Sequence, residues 1–412
     1  MPVKQGHFAV HMSGVVLRKA EKMKKPGFLL LLIAYLGFIS LGLPDATHGV
    51  NWPFVRETFA IPNAWLGMIL TCTGIGYFSS SMSAGFILNR LGVGALLAGS
   101  SLLVFVALTG FAFAPYWAVF LLFAVLLGLG SGAIDTGLNA YAAEHFSTRQ
   151  MNWLHAAFGV GAMTGPMIAT TVLVVTGNWR VGYGAIGFIL LLMAGLFFIT
   201  RHQLDDQPDQ SHTADEPDLS GGYQYIFRQS VVWFHILLFF IYTGVEIGVG
   251  QWAFTVLTEG RSIDTAQAGL WTSFFWGALA AGRVFFGVVV AKVQTDVVIR
   301  LAMWGTLVGT GVFCIDGLPL LSLLGLLVTG FCLAPIFPCL MSRTPQRVGK
   351  KLASRVIGIQ VSVALIGGVS LPFSMGYIAS FFGLESIGVT VLVLVILLVL
   401  VHEILMMRTR ER

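Results

Sequence analysis

Apolar residues in this chain neither alternate nor keep to one helical stripe; they come in long runs separated by short polar stretches. Such runs occupy residues 28–50, 63–88, 94–114, 116–143, 150–176, 180–200, 230–257, 265–291, 296–315, 318–341, 353–381 and 384–406. A helix needs about 20 apolar residues to cross a bilayer, and a tilted barrel strand only about 10. Within lipid a segment must satisfy its own backbone hydrogen bonds, so the runs predict twelve transmembrane helices. The fold class is an all-α membrane protein. One polar stretch differs from the other loops. Residues 202–229 hold Asp205, Asp206, Asp209, Asp215, Glu216 and Asp218, with Pro208, Pro217, Gly221 and Gly222. It reads as a solvated linker. The domains are then a tail (1–27), a six-helix half (28–201), the linker (202–229), a second six-helix half (230–407) and a short tail (408–412).

Composition supports the membrane reading. The 412 residues are 56% hydrophobic and 10% charged, against about 25% charged in a soluble domain. Charge then supplies an orientation. With the N-terminus in the cytoplasm, 20 of the 24 Lys and Arg fall in cytoplasmic segments. Only Arg56, Arg180 and Arg261 fall on the opposite side, and Arg283 lies inside a span. The positive-inside rule places both termini and the linker in the cytoplasm and requires an even number of spans. A multi-pass protein of the inner (plasma) membrane is expected. The net charge of +5 is no nucleic-acid signature, because the bases sit in loops. Cys72, Cys314, Cys332 and Cys339 lie in apolar stretches without metal-ligand spacing, so no metal and no cofactor are expected. Residues Met1 to Lys25 are basic and lack the apolar core and cleavage site of a signal peptide. No phosphate loop or nucleophile–His–acid pattern occurs, which argues against an enzyme and against a primary pump.

The halves repeat. Trp52 and Trp252 lie 200 residues apart, each after an amide (Asn51, Gln251) and, a little earlier, an acid (Asp45, Glu246). Gly67 and Gly269, Gly85 and Gly287, and Arg90 and Lys292 are 202 apart; Arg149 and Arg355, and Pro166 and Pro372, are 206 apart. Halves of six helices each repeat in parallel and place a solute site near mid-membrane at their interface.

The chain resembles the major facilitator superfamily. Gly85-Phe-Ile-Leu-Asn89-Arg90-Leu-Gly92 is similar to the superfamily loop signature Gly-x-x-x-Asp-Arg/Lys-x-Gly, with Asn89 in the acid position. The second-half copy, Gly287 to Lys292, has Ala291 there. Gly161-Ala-Met-Thr-Gly165-Pro166 resembles a glycine–proline motif of the fifth helix that is often linked to exporters. Three stretches resemble the fucose–proton symporter group: Gly128 to Asn139, Met151 to His155, and Gly244 to Gly248. That likeness implies a proton-coupling role for Asp135, with Asn139 one turn on. It also implies an acid on the first helix, near Gly49; here Asp45 lies about a turn earlier, with His48 beside the spot.

An ionisable group inside a bilayer is expensive when charged and unpaired, so each one is a functional candidate. Asp135 follows Gly128, Gly130 and Gly132, small residues that admit a neighbouring helix. Asp45 follows Pro44, which removes a helix hydrogen bond where Asp45, His48, Asn51 and Trp52 cluster. Glu246 is the nearest anion for Arg283, either as a structural ion pair or as one that breaks and remakes. Asp135, Asp45 and Glu246 are the proton-coupling candidates. His48, Asn51, Trp52, Asn139, Asn152, His155, Gln251, Trp252 and Trp276 are the substrate candidates, since amides beside indoles suit a polyhydroxylated solute. Arg283, Asn89 and Arg90 are structural or gating candidates. The expected partners are a small solute, protons (or sodium) and lipid, with the protein a monomer. The expected function is proton-coupled uptake of a sugar or similar polar solute by alternating access; the alternative is a proton-driven exporter of amphipathic compounds.

Overall fold

A computed structural model describes residues 28–205 and 226–410, and every long apolar run in them is helical. The twelve crossings are α1 (Phe28–Phe59), α2 (66–91), α3 (93–113), α4 (Trp117–His145), α5 (Thr148–Thr176), α6 (Trp179–Asp205), α7 (Ser230–Thr255), α8 (Thr265–Val289), α9 (Thr295–Phe313), α10 (Pro319–Val348), α11 (Lys350–Phe382) and α12 (Ser386–Arg410). The tail 1–27, residues 206–225 of the expected linker and residues 411–412 lie outside the described part. Eleven segments are long and apolar enough to cross a membrane by length and hydropathy alone. The remaining helix, α2, is diluted by Thr71, Thr73, Ser79, Ser80, Ser81 and Ser83.

Local chemistry sets the breaks. α2 and α3 would be one rod but for Gly92, whose φ of 76° and ψ of 170° turn the chain sharply. A residue with a Cβ is strained there, which is why glycine ends the loop signature. α1 is interrupted at Ala46, two residues after Pro44. α10 breaks near Pro335 into Pro319–Leu333 and Ile336–Val348. Ser147 and Gln150 form a reciprocal capping box at the start of α5, and Asp264 caps α8. α1 and α10 run further than their apolar cores suggest, to Phe59 and Val348, because amphipathic turns continue beyond the lipid-length segment.

α3, α6, α9 and α12 are among the helices that turn large apolar side chains outward. Ile199 on α6 is 78% exposed and Leu301 on α9 is 66% exposed, apolar exposure that lipid covers at no cost. Within the first half, α2 lies against α4 because Gly76, Gly128 and Gly132 offer bare backbone. A Cβ on Gly128 would collide with the Thr73 carbonyl, and one on Gly132 with Ser80 and Tyr77. Gly130 faces the other way, toward Ser100 and Val104 of α3. The small-residue run therefore clamps α4 between two neighbours.

The halves meet along two antiparallel helix pairs. On α5 and α8, Thr170 packs on Gly269, Met163 on Gly277 and Gly159 on Ala280. On α2 and α11, Gly67 packs on Phe373 and Gly74 on Val369, while Ala64 in the turn before α2 packs on Gly376. The two seams are mates under the internal repeat. At the side opposite the linker they are joined by α1 and α7, where Gly49 lies against the Gln251 backbone, Phe54 meets Phe254, and Arg56 makes two bonds of 2.7 and 2.8 Å to Glu259.

Substituting Gly128→Val should force α2 off α4. Overpacking of this kind costs about 1–3 kcal/mol, so the thermal midpoint of the detergent-purified protein, followed by tryptophan fluorescence, should fall by several degrees. The same change at Gly184, which has open space around its Cα, should leave it unmoved.

Candidate substrate and proton site between the halves

Two polar clusters sit deep in the bundle. The first belongs to the N-terminal half. Asp135 of α4 accepts a short hydrogen bond from the Tyr77 hydroxyl of α2 at one oxygen. Its other oxygen accepts from the Asn139 amide at 2.9 Å, one turn further along α4. Both donors are neutral. Asp45, at the break in α1, is close enough to Asp135 for the two carboxyl groups to act on each other, and Tyr77 lies within reach of both. Asp45, Tyr77, Asp135 and Asn139 are all half-buried, so they border open space rather than closed core. No ion pair involves either aspartate among the described residues.

The second cluster straddles the halves. Arg283 of α8 donates to Glu246 of α7 at 3.1 Å, with the Tyr242 hydroxyl beside both. The Arg283 charge also reaches His155 of α5 across the seam. His155 is exposed and packs edge-on to Phe38, 5.3 Å between ring centroids. Repeat mates thus differ in their company. Asp45 on α1 faces a tyrosine and a second acid, whereas Glu246 on α7 faces an arginine.

Other candidates fall elsewhere. His48 does not share the surroundings of Asp45. Its Nδ1 lies 2.9 Å from the Tyr183 hydroxyl of α6, inside the N-terminal half, and Asn51 lies beside the same hydroxyl. Trp52 and Trp252 are fully buried and leave no open ring face; the Trp252 indole donates to the Pro372 carbonyl at 3.0 Å. Stacking of a solute on either ring is therefore not what this arrangement offers, and both act as packing. Trp276 is buried against Gly250, with its indole nitrogen unpartnered. Gln251 donates to the Asp45 carbonyl at 2.9 Å across the halves, while its Oε1 lacks a partner. Arg90 lies over the Phe86 ring at 4.3 Å. The side chains of Asn89 and Asn152 lie outside the described residues.

Tyr77, Tyr183 and Tyr242 are the polar partners that sequence reasoning missed. A tyrosine inside an apolar run carries no periodic signal. Its one clue is that a buried phenol needs a hydrogen-bond partner, which points to the nearest acid or imidazole on a neighbouring helix.

Comparison with known proteins follows the same lines. Residues 28–262 match the family model described as Major Facilitator Superfamily. The chain is 23% identical over 355 residues to the glucose/mannose transporter GlcP of Bacillus subtilis, covering 84% of this chain and 87% of that protein. It is 23% identical to sodium-dependent glucose transporter 1 of Homo sapiens, covering 82% and 71% of the two chains. Among solved structures, a mutant form of the nucleoside transporter NupG superposes with a TM-score of 0.75 at 12% identity, covering 90% of this chain and 98% of that one. A D-xylose-proton symporter superposes at 0.70 with 16% identity, covering 89% and 97%.

Removing one member of a buried ion pair strands the other, at about 3–5 kcal/mol. Arg283→Gln alone should sharply lower the thermal midpoint, and Arg283→Gln with Glu246→Gln should recover most of the loss. Equal losses in the single and double variants would show that the pair does not hold α7 to α8.

Proposed function

The chain belongs to the Major Facilitator Superfamily, and from that membership we propose that it is a proton-coupled carrier that takes up a sugar or similar polyhydroxylated solute by alternating access. The observation that carries this reading is the pair Asp45 and Asp135, two interacting carboxyl groups deep in the bundle, with neutral partners bonded to Asp135 and no counter-cation among the described residues. A charged carboxylate is costly at that depth, by several kcal/mol on most scales. Two that repel one another favour holding a proton. Loading one neutralises the cluster; losing it to water restores the charge.

The charge tally makes the linker side cytoplasmic, and the halves are joined on the opposite side by Arg56 and Glu259. In that orientation the arrangement is inward-facing, with Asp135, Asn139 and His155 bordering the space open to the cytoplasm. Proton and solute would enter together from outside with the seams rocked the other way, and leave here. Tyr77 and Asn139 donate to both Asp135 oxygens, an arrangement suited to the carboxylate after its proton has gone. Glu246 already has Arg283, so we assign that pair to holding and gating the second half and leave the proton to the first.

A neutral polyol suits the remaining groups. The unpartnered Gln251 Oε1 and Trp276 indole, with Asn139 and exposed His155, offer donors and acceptors but no isolated fixed charge. The names of two relatives, a glucose/mannose transporter and a sodium-dependent glucose transporter, support the substrate class and make sodium the ion to test against the proton.

In proteoliposomes, an imposed inward proton gradient should drive accumulation of a labelled hexose. Asp135→Asn should abolish accumulation yet retain counterflow exchange, and Asp45→Asn should lower accumulation at least ten-fold. Accumulation by Asp135→Asn against a gradient, or accumulation driven by sodium with no proton gradient, would overturn the coupling assignment. Tight binding of lipophilic cations without hexose binding would favour the exporter.

A further inference from the structure

One cavity among the described residues lies away from the seam between the halves. It measures about 670 Å³ and lies inside the C-terminal half, between the linker-side ends of α7, α9, α10 and α12. Bare phosphate would not fill it, but it falls within the roughly 300–1,000 Å³ typical of small-molecule sites.

Its walls are unusually charged for a membrane bundle. Arg343 and Arg347, one turn apart on α10, both bind Asp296 of α9, with Arg343 Nε and Arg347 each 2.9 Å from the same oxygen. Arg300 of α9 grips Glu403 of α12 through two hydrogen bonds. Three guanidinium groups therefore share two carboxylates, and one positive charge in the wall is uncompensated. The Arg347 side chain is 5% exposed, so that charge is set in a low-dielectric wall, whereas Arg300 is 54% exposed and stands at the mouth. His402 is the second observation. It lines the cavity, is 1% exposed, and neither of its ring nitrogens makes a hydrogen bond; Nδ1 is 3.7 Å from Glu403. A buried imidazole without partners in a chamber with surplus positive charge is a donor waiting for an anionic acceptor.

We propose that this cavity is a binding site for a phosphate ester, held by Arg300 and Arg343 at the mouth with His402 at its floor. Guanidinium groups match phosphate oxygens bidentately, which favours phosphate over a lone carboxylate. The cavity volume leaves room for the organic part of the ester. The site lies on the side that the charge tally gives to the cytoplasm, where soluble phosphate esters and anionic lipid headgroups both occur. It also touches the transport path. Arg343 and Arg347 stand on the short segment Ile336–Val348, whose Phe337 packs against Tyr242, 5.7 Å between centroids, and Tyr242 sits beside Glu246 and Arg283. A ligand bridging α9, α10 and α12 would fix that segment.

The test is binding to the full purified chain, independent of transport. Titration with inorganic phosphate and with glucose 6-phosphate, against chloride at equal ionic strength, should raise the thermal midpoint saturably, and the ester should half-saturate at a lower concentration. Arg300→Gln and Gln346→Glu should each raise the half-saturating concentration at least ten-fold. Gln346→Glu keeps the acceptor for Arg343 and adds a negative charge at the mouth, so it tests the site without removing a guanidinium. Saturation only in nanodiscs containing phosphatidylglycerol, and not in phosphatidylcholine, that is lost in Gln346→Glu would support the site with a lipid headgroup as its ligand. No saturable shift with any of these probes, or an unchanged half-saturation in both variants, would overturn it.

Discussion

A charge in the middle of a bilayer must be neutralised, and each half of this protein meets that demand differently. In the C-terminal half a cation is built in: Arg283 sits 3.1 Å from Glu246. In the N-terminal half no cation among the described residues accompanies Asp45 and Asp135, only the Tyr77 phenol and the Asn139 amide. On the proposed reading a proton cancels the charge there. The internal repeat makes this contrast informative, because Asp45 and Glu246 are mates on α1 and α7. Duplicated architecture with unequal compensation yields one half that is electrostatically settled and one that responds to its surroundings.

That contrast depends on close backbone packing. Tyr77 reaches Asp135 because Gly128 and Gly132 let α2 lie directly on α4. The seams between the halves likewise use small residues at Gly159, Gly67, Gly269 and Gly376, which let the helices of the two bundles approach closely and seat Phe373 on Gly67. Few of these contacts are polar.

Much of the architecture was legible in the sequence, since long apolar runs admit little but helices in lipid. The Glu246–Arg283 partnership was legible too, because a lone arginine in a span has few possible anions. Side-chain direction was not. Asp45 and His48 are three residues apart and should share a helix face, but His48 bonds Tyr183 of α6 inside the first half instead. Trp52 and Trp252 are repeat mates as their spacing suggested, yet both are used to pack helices, because a fully buried indole fills more volume than any other side chain. Tyr77 was invisible: its role depends on a neighbour 58 residues away. The linker-side cavity was hidden for the same reason, assembled from ends of helices far apart in the chain.

The ion pair of Arg56 and Glu259 is a modest bond by design. Both side chains are about 30% exposed, at 28% and 31%, and exposed pairs contribute about 0–1 kcal/mol. One kcal/mol moves a two-state population roughly five-fold, where 1.4 gives ten-fold. A clasp of that strength biases the bundle toward one closure without trapping it there. Screening by external salt should weaken it further. If the halves rock on every cycle, as proposed, a fastening this light is a matter of turnover rather than stability: a buried, tighter bond at the same place would hold the halves together and stop the work.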